Sequence, residues 1–284
     1  KGRWWLHCAP SKKKRRPIMA LLSKIDAQRR CAEASPDAYR IRAVWVFSGL
    51  SAIDEFNTAR QPEPYSFALV LTGLGLGCCY ADEILSVPHG WIGQDARTLE
   101  APDPVWHVAL LDSIPSPERR QPTKSVELTG APAEKSAIRA RVVADVVMEA
   151  AAAQGIKLPK IINIGAVGKF IAELTRRKCV VAACDLEDAI VGQEAGGTTV
   201  CGPETTERLI SEADIALVTG MTVSNGTLDT ILEHARNHGT AVIVFAETGG
   251  SFAPELLDAG ICAVVAESFP FYVLPCSSFV NVYR

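Results

Sequence analysis

From residue 156 onward, short continuous apolar runs alternate with stretches of helical periodicity. The runs are Ile161–Ile164, Val180–Cys184, Ile215–Val218, Ala241–Ala246 and Ile261–Ala266. The helical stretches are Lys169–Arg177, Glu204–Ala213, Thr227–His238 and Pro254–Ala259. Strands that are apolar throughout must be covered on both faces, and helices between them supply the cover. The pattern therefore predicts a parallel, Rossmann-like α/β sheet with helices on both faces. Upstream, the periodicity of Ile138, Val142 and Val146 predicts a long helix from Ala133, stopped by Gly155 and Pro159. Before that helix the chain reads as a smaller α+β region, with strands over 42–48 and 66–72. Five prolines between 102 and 122 predict mostly loop around the short run Val105–Leu111. The expected division is an extension over 1–18, an α+β domain over 19–132, a connecting helix over 133–155 and a Rossmann-like ligand-binding domain over 156–284.

Composition narrows the function classes. A hydrophobic content of 48% supports a substantial core, and a net charge of −3 gives no basis for nucleic acid or an anionic membrane as partner. No run approaches the ~18 apolar residues of a membrane span. Nine cysteines without a Cys-x-x-Cys pair are expected as free thiols in a cytoplasmic protein. The first residues, with the basic run Lys12–Arg16, read as a tag or extension ahead of Met19.

In an open parallel sheet, ligands gather where strands end and strand order reverses. After the first strand comes Gly165-Ala166-Val167-Gly168, and Asp185 closes the second. A tight glycine turn beside an acid suits a ribose diol. Val167 and Phe170 stand where the dinucleotide pattern needs glycine, which favours S-adenosylmethionine over a nicotinamide dinucleotide. After the third strand, Thr219, Gly220, Thr222, Asn225, Gly226 and Thr227 bring hydroxyls and an amide to the start of a helix, a setting for an anion or a sugar. Tyr80 and Asp82, with Asn225 and Glu247, are the candidates for orienting a substrate in an interdomain cleft. Two weaker metal signals are Cys78-Cys79 and the pair His234 and His238, four apart on one helix. Structural roles account for both, so no metal ligand is assigned, although a metal is not excluded.

The segment Thr219–Leu232, centred on Asn225-Gly226-Thr227-Leu228-Asp229, resembles the putative heavy-metal chelation family, as do Ile161–Gly168 and Val242–Gly260. The resemblance covers about residues 156–267, with a weaker fit at Ala43–Phe47. It implies a Rossmann-like C-terminal domain after an enolase-N-terminal-like domain, a cleft between them and a homodimer. Two functions follow. One, resting on the glycine turn and Asp185, is an enzyme with transferase-like chemistry on a small polar substrate and an adenosyl cofactor. The other is a non-catalytic binder of a heavy metal or metal–chelate complex.

Overall fold

The computed structural model describes residues 21–51, 63–81, 83, 85–271 and 276–284. Residues 1–18, Met19, Asp82 and Tyr272, which figure in the sequence reading, lie outside the described residues. Two sheets organise the rest. An N-terminal antiparallel sheet runs β1 (Ala43–Ser51), β2 (Glu63–Leu71), β3 (Leu76–Ala81) in that spatial order. A nine-stranded sheet has the order β4-β12-β11-β10-β9-β5-β6-β8-β7. Its parallel centre is β5 (Lys160–Ile164), β6 (Val180–Cys184), β9 (Ile215–Thr219), β10 (Ala241–Ala246) and β11 (Ala263–Glu267). These are the five apolar runs. The order 9-5-6 places the reversal between β5 and β9. The chain is α/β, a mostly parallel sheet preceded by a smaller α+β unit.

Alternation within each central strand divides the core. Ile161, Ile215, Leu217, Ile243, Phe245 and Val265 face α3 (Pro132–Ala153) and α4 (Gly168–Arg176). Ile162, Val218, Val244, Ala246 and Val264 face the opposite side, against α5 (Thr206–Glu212), α7 (Leu228–His238) and α8 (Ala253–Asp258). That second cluster continues through α2 (Pro104–Asp112) into Ala68, Val70 and Cys79 of the N-terminal sheet, so both sheets share one core.

Several elements depart from the sequence reading. The proline-rich stretch predicted as loop contains α2: Asp103 accepts the Trp106 amide at 2.9 Å and Pro104 sits in the first turn, where no N–H is needed. The prolines bracket the helix and do not interrupt it. The glycine-rich turn at 73–77 leads into β3. At the far edge, β12 (Ser278–Tyr283) and β4 (Lys124–Leu128) add antiparallel strands, so β4 pairs in the large sheet although it precedes the long helix. A hairpin of β7 (Glu194–Ala195) and β8 (Thr198–Cys201) forms the other edge.

Gly77 shows how tightly β3 lies on α2. A Cβ there would overlap the Ala109 carbonyl and the Ser113 amide and stand 2.8 Å from the Asp112 carbonyl carbon. Backbone cannot rotate aside as a side chain can, so Gly77→Ala is expected to destabilise by about 1–3 kcal/mol or more. Urea unfolding measures this; an unchanged midpoint means the contact relaxes at no cost.

Candidate functional site

The turn after β5 is closed by its own neighbours. Gly165 adopts φ +78°, and its amide donates to the Cys184 carbonyl at 3.0 Å. The Ala166 amide donates to Asp185 Oδ2 at 2.7 Å and the Val167 amide to Asn163 Oδ1 at 2.9 Å. Asp185 Oδ1 also accepts the Glu187 amide at 3.1 Å. The expected juxtaposition of Asp185 with the glycine turn is present, yet the carboxylate's partners are the turn and its own loop. Thr219, ending β9, packs so closely that a Cβ on Gly165 would overlap its side chain. Gly168 opens α4.

The polar segment after β9 is likewise satisfied internally. Met221–Ser224 form a short helix, α6, with Thr222 Oγ1 donating to the Thr219 carbonyl at 2.8 Å. Gly220 lies so near the Thr248 carbonyl that a Cβ would overlap it. Asn225 is exposed and its Oδ1 accepts from the Thr227 amide at 3.1 Å and hydroxyl at 2.7 Å, around Gly226 at φ +75°. Contacts thus join Gly165, Ala166, Asp185 and Thr219 in one neighbourhood. Asn225, Gly226 and Thr227 form a local turn ahead of α7.

A cavity opens instead between the two sheets, at the carboxyl ends of β10 and β11. Its volume is about 180 Å³, and its polar walls include Cys78, Asp112, Glu247, Ser251, Glu267 and Asn281, with Phe269 and Tyr283 supplying aromatic surface. The loop after β10 joins the units here. Thr248 Oγ1 accepts the Tyr80 amide at 3.0 Å, and the Gly249 amide donates to the Cys78 carbonyl at 3.3 Å. Asp112, at the end of α2, accepts the Cys78 amide at 2.9 Å and the Ser251 amide at 2.8 Å. Of the substrate-orienting candidates, Glu247 lines the cavity. Tyr80 touches the seam through its backbone while its ring packs edge-on against Phe67, with centroids 5.5 Å apart.

Buried charge dominates this place. Arg139, inside α3, bonds Glu267 through Nε and through Nη2 at 2.9 Å, and its Nε stands 3.5 Å from Glu247 Oε1. Ser278 Oγ adds a bond to Glu267 at 2.7 Å. Burial raises the carboxyl pKa of Asp112 despite its hydrogen bonds and the nearby Arg29. Burial likewise drives the Cys78 thiol well above its usual range, with Asp112, Cys79 and Glu247 adding to the rise. Cys79 is pushed up to about 12, chiefly by burial. Both thiols are therefore neutral S–H groups at pH 7.

Among the described residues no group of three His, Cys, Asp or Glu side chains is arranged to hold a metal ion, and the eight described cysteines form no disulfide. His234 lies 3.4 Å from Glu207, and His238 is exposed at the end of α7. No helix among the described residues is long and apolar enough to cross a membrane.

Comparison with known proteins fits this architecture. Residues 151–263 match the model of the DUF364 family, described as putative heavy-metal chelation. This stretch is similar to the DUF364 family. It runs from the end of α3 to the start of β11, and so includes the closed turn after β5 and Glu247. A DUF364 protein of unknown function from Desulfitobacterium hafniense DCB-2 superposes with a TM-score of 0.56 at 12% identity, over 94% of this chain and 100% of that one. Another, from Pyrococcus horikoshii, gives 0.52 at 13% identity, over 93% and 100%. At such identities the likeness shows a shared fold, and it extends beyond the DUF364 match into the N-terminal unit. No curated protein matches the chain.

Proposed function

We propose that this protein binds a compact, positively charged small molecule in the cleft between its sheets, a metal ion held in a small chelate being the species that fits best. The observation that carries this reading is the cavity itself, with Asp112, Glu247, Glu267 and Cys78 in its walls. Three carboxyl side chains line the cavity against two nearby guanidiniums, Arg139 and Arg29, and Arg29 is already paired with Glu255, so the balance favours a cation. Asp112 and Glu267 are already committed to protein hydrogen bonds. That leaves the lining short of the several protein donors that a bare ion takes; a chelate brings its own. The family description points the same way. Because the Cys78 thiol is protonated at neutral pH, sulfur coordination would release a proton and strengthen with rising pH.

The adenosyl-cofactor enzyme is the second reading, supported by Asp185 beside the Gly165–Ala166 turn. It ranks second because the amides of 165–167 already have protein acceptors. The cavity, at about 180 Å³, also falls below the ~300 Å³ at which pockets begin to enclose drug-sized ligands.

Thermal unfolding with Cd²⁺ alone, with Cd²⁺ chelated by the neutral ligand 2,2′-bipyridine, which leaves the complex cationic, and with S-adenosylmethionine separates the two. The chelate is expected to raise the melting temperature by about 5 °C near saturation, with the shift lost in Glu247→Gln and kept in Asp185→Ala. A shift with S-adenosylmethionine alone, abolished by Asp185→Ala, would put the second reading in its place.

A further inference from the structure

Arg29, on α1 (Leu21–Arg30), is fully buried and uses all five of its N–H donors. Nε and Nη2 grip Glu255 at 3.0 and 3.1 Å; Nη2 also reaches the Ser251 carbonyl at 2.8 Å. Nη1 bonds Ser251 Oγ at 3.1 Å and the Leu111 carbonyl at 3.3 Å. The guanidinium carbon also lies 5.1 Å from the centroid of the Phe252 ring. Ser251 passes the connection on: its Oγ donates to the Asp112 carbonyl at 2.9 Å and its amide to Asp112 Oδ1 at 2.8 Å. Asp112 Oδ2 in turn accepts the Cys78 amide at 2.9 Å. A continuous chain, Arg29–Ser251–Asp112–Cys78, therefore runs from the N-terminal helix to the cavity, and its last three members line that cavity.

We infer that Arg29 is a positioning residue for the cleft, holding through Ser251 and Asp112 the wall on which Cys78 stands. The ion pair with Glu255 alone would dock α1. The bonds to both the hydroxyl and the carbonyl of Ser251 go further, because they orient a residue that bonds Arg29 and Asp112 together, beside the direct bond from Nη1 to the Leu111 carbonyl. α1 is thus a strap whose seating sets the shape of a cavity it does not itself line. This role rests on the reading of the cleft as a ligand site, but its test needs no ligand.

The test is alkylation of the folded protein by iodoacetamide, followed cysteine by cysteine by mass spectrometry. Cys78 reports the cavity wall, and Cys184, buried at the end of β6, is the internal control. Ser251→Ala keeps the Arg29–Glu255 pair and the two backbone bonds of residue 251, and removes the two hydroxyl bonds that tie Arg29 Nη1 to the Asp112 carbonyl. It is expected to raise Cys78 labelling about tenfold or more over wild type, with Cys184 unchanged, as local opening without global loosening requires. Arg29→Ala is expected to do the same, and low-millimolar guanidinium is expected to restore protection in Arg29→Ala but not in Ser251→Ala. If Arg29→Ala fails to fold, Ser251→Ala decides alone. Unchanged Cys78 labelling in Ser251→Ala, a parallel rise of Cys78 and Cys184, or failure of guanidinium to protect a folded Arg29→Ala each overturns the inference. Absence of chelate binding with the labelling pattern intact would instead remove only the proposed ligand.

Discussion

Arg139→Met is expected to lower stability by about 3–5 kcal/mol, the largest single effect anticipated for this chain. Glu267 is fully buried, and two of its three hydrogen bonds come from Arg139. Without the guanidinium a carboxylate remains in the core with one hydroxyl partner, and Glu247 loses the neighbouring cation at the cavity. The loss belongs to the stranded charge more than to the missing attraction. The double variant Arg139→Met, Glu267→Gln should therefore recover more than half of it. Urea unfolding of wild type, single and double variants makes the comparison. Equal stability of the single and double variants would show that burying an uncompensated carboxylate is not the cause.

Asn163→Leu is expected to cost about 2–4 kcal/mol although the two side chains share the same branched skeleton of heavy atoms. Asn163 is fully buried in β5; its Nδ2 donates to the Leu217 carbonyl at 3.1 Å while its Oδ1 holds the Val167 amide at the start of α4. Leucine leaves both backbone groups without those partners at the point where strand order reverses. Hydrogen exchange gives the local readout: the Val167 amide should lose protection ahead of the strand amides of β9 and β10. Stability within about 0.5 kcal/mol of wild type, with Val167 still protected, would count against Asn163 as the seal of this turn.

Both residues show what kind of information the sequence carries. The five central strands and the helices between them were readable, because burial on both faces writes an unbroken apolar run and burial on one side writes a helical stripe. The helix over 104–112 is not legible from the number of its prolines, because their decisive feature is position, with Pro104 in the first turn behind the Asp103 cap. β4 and β12 were missed for a related reason. β4 is an edge strand with three polar residues in five, and β12 alternates in burial but puts Ser278 on its buried face and Phe279 on its exposed one.

The candidate site was legible in outline only. Glu247 was singled out from its place at a strand end, and it does line the cavity. The glycine turn and the 219–227 loop carry the polar groups expected of them, but those groups bond to one another. A sequence reveals that donors and acceptors are present and not whether they are already paired. Asp112 and Glu267 give one usable signal, a charged residue at the close of an apolar stretch, and Ser251, behind Glu247-Thr248-Gly249-Gly250, gives none. Asn163 gives a stronger one, polarity inside a stretch otherwise buried, which demands a partner; Arg139 stands beside the exposed Arg141 in a helix rich in charge, and nothing local marks it as buried.

The alternation of apolar runs and amphipathic stretches by itself determined the layered α/β architecture, since each element must hide its own apolar face whatever its neighbours are. Which strand ends enclose a cavity was decided only by tertiary structure. That choice depends on a second sheet and α2 arriving from distant sequence to roof the ends of β10 and β11, while Thr219 and Asn163 close the ends of β5 and β9. Such pairings arise from contacts between residues far apart in the chain, and no local pattern records them.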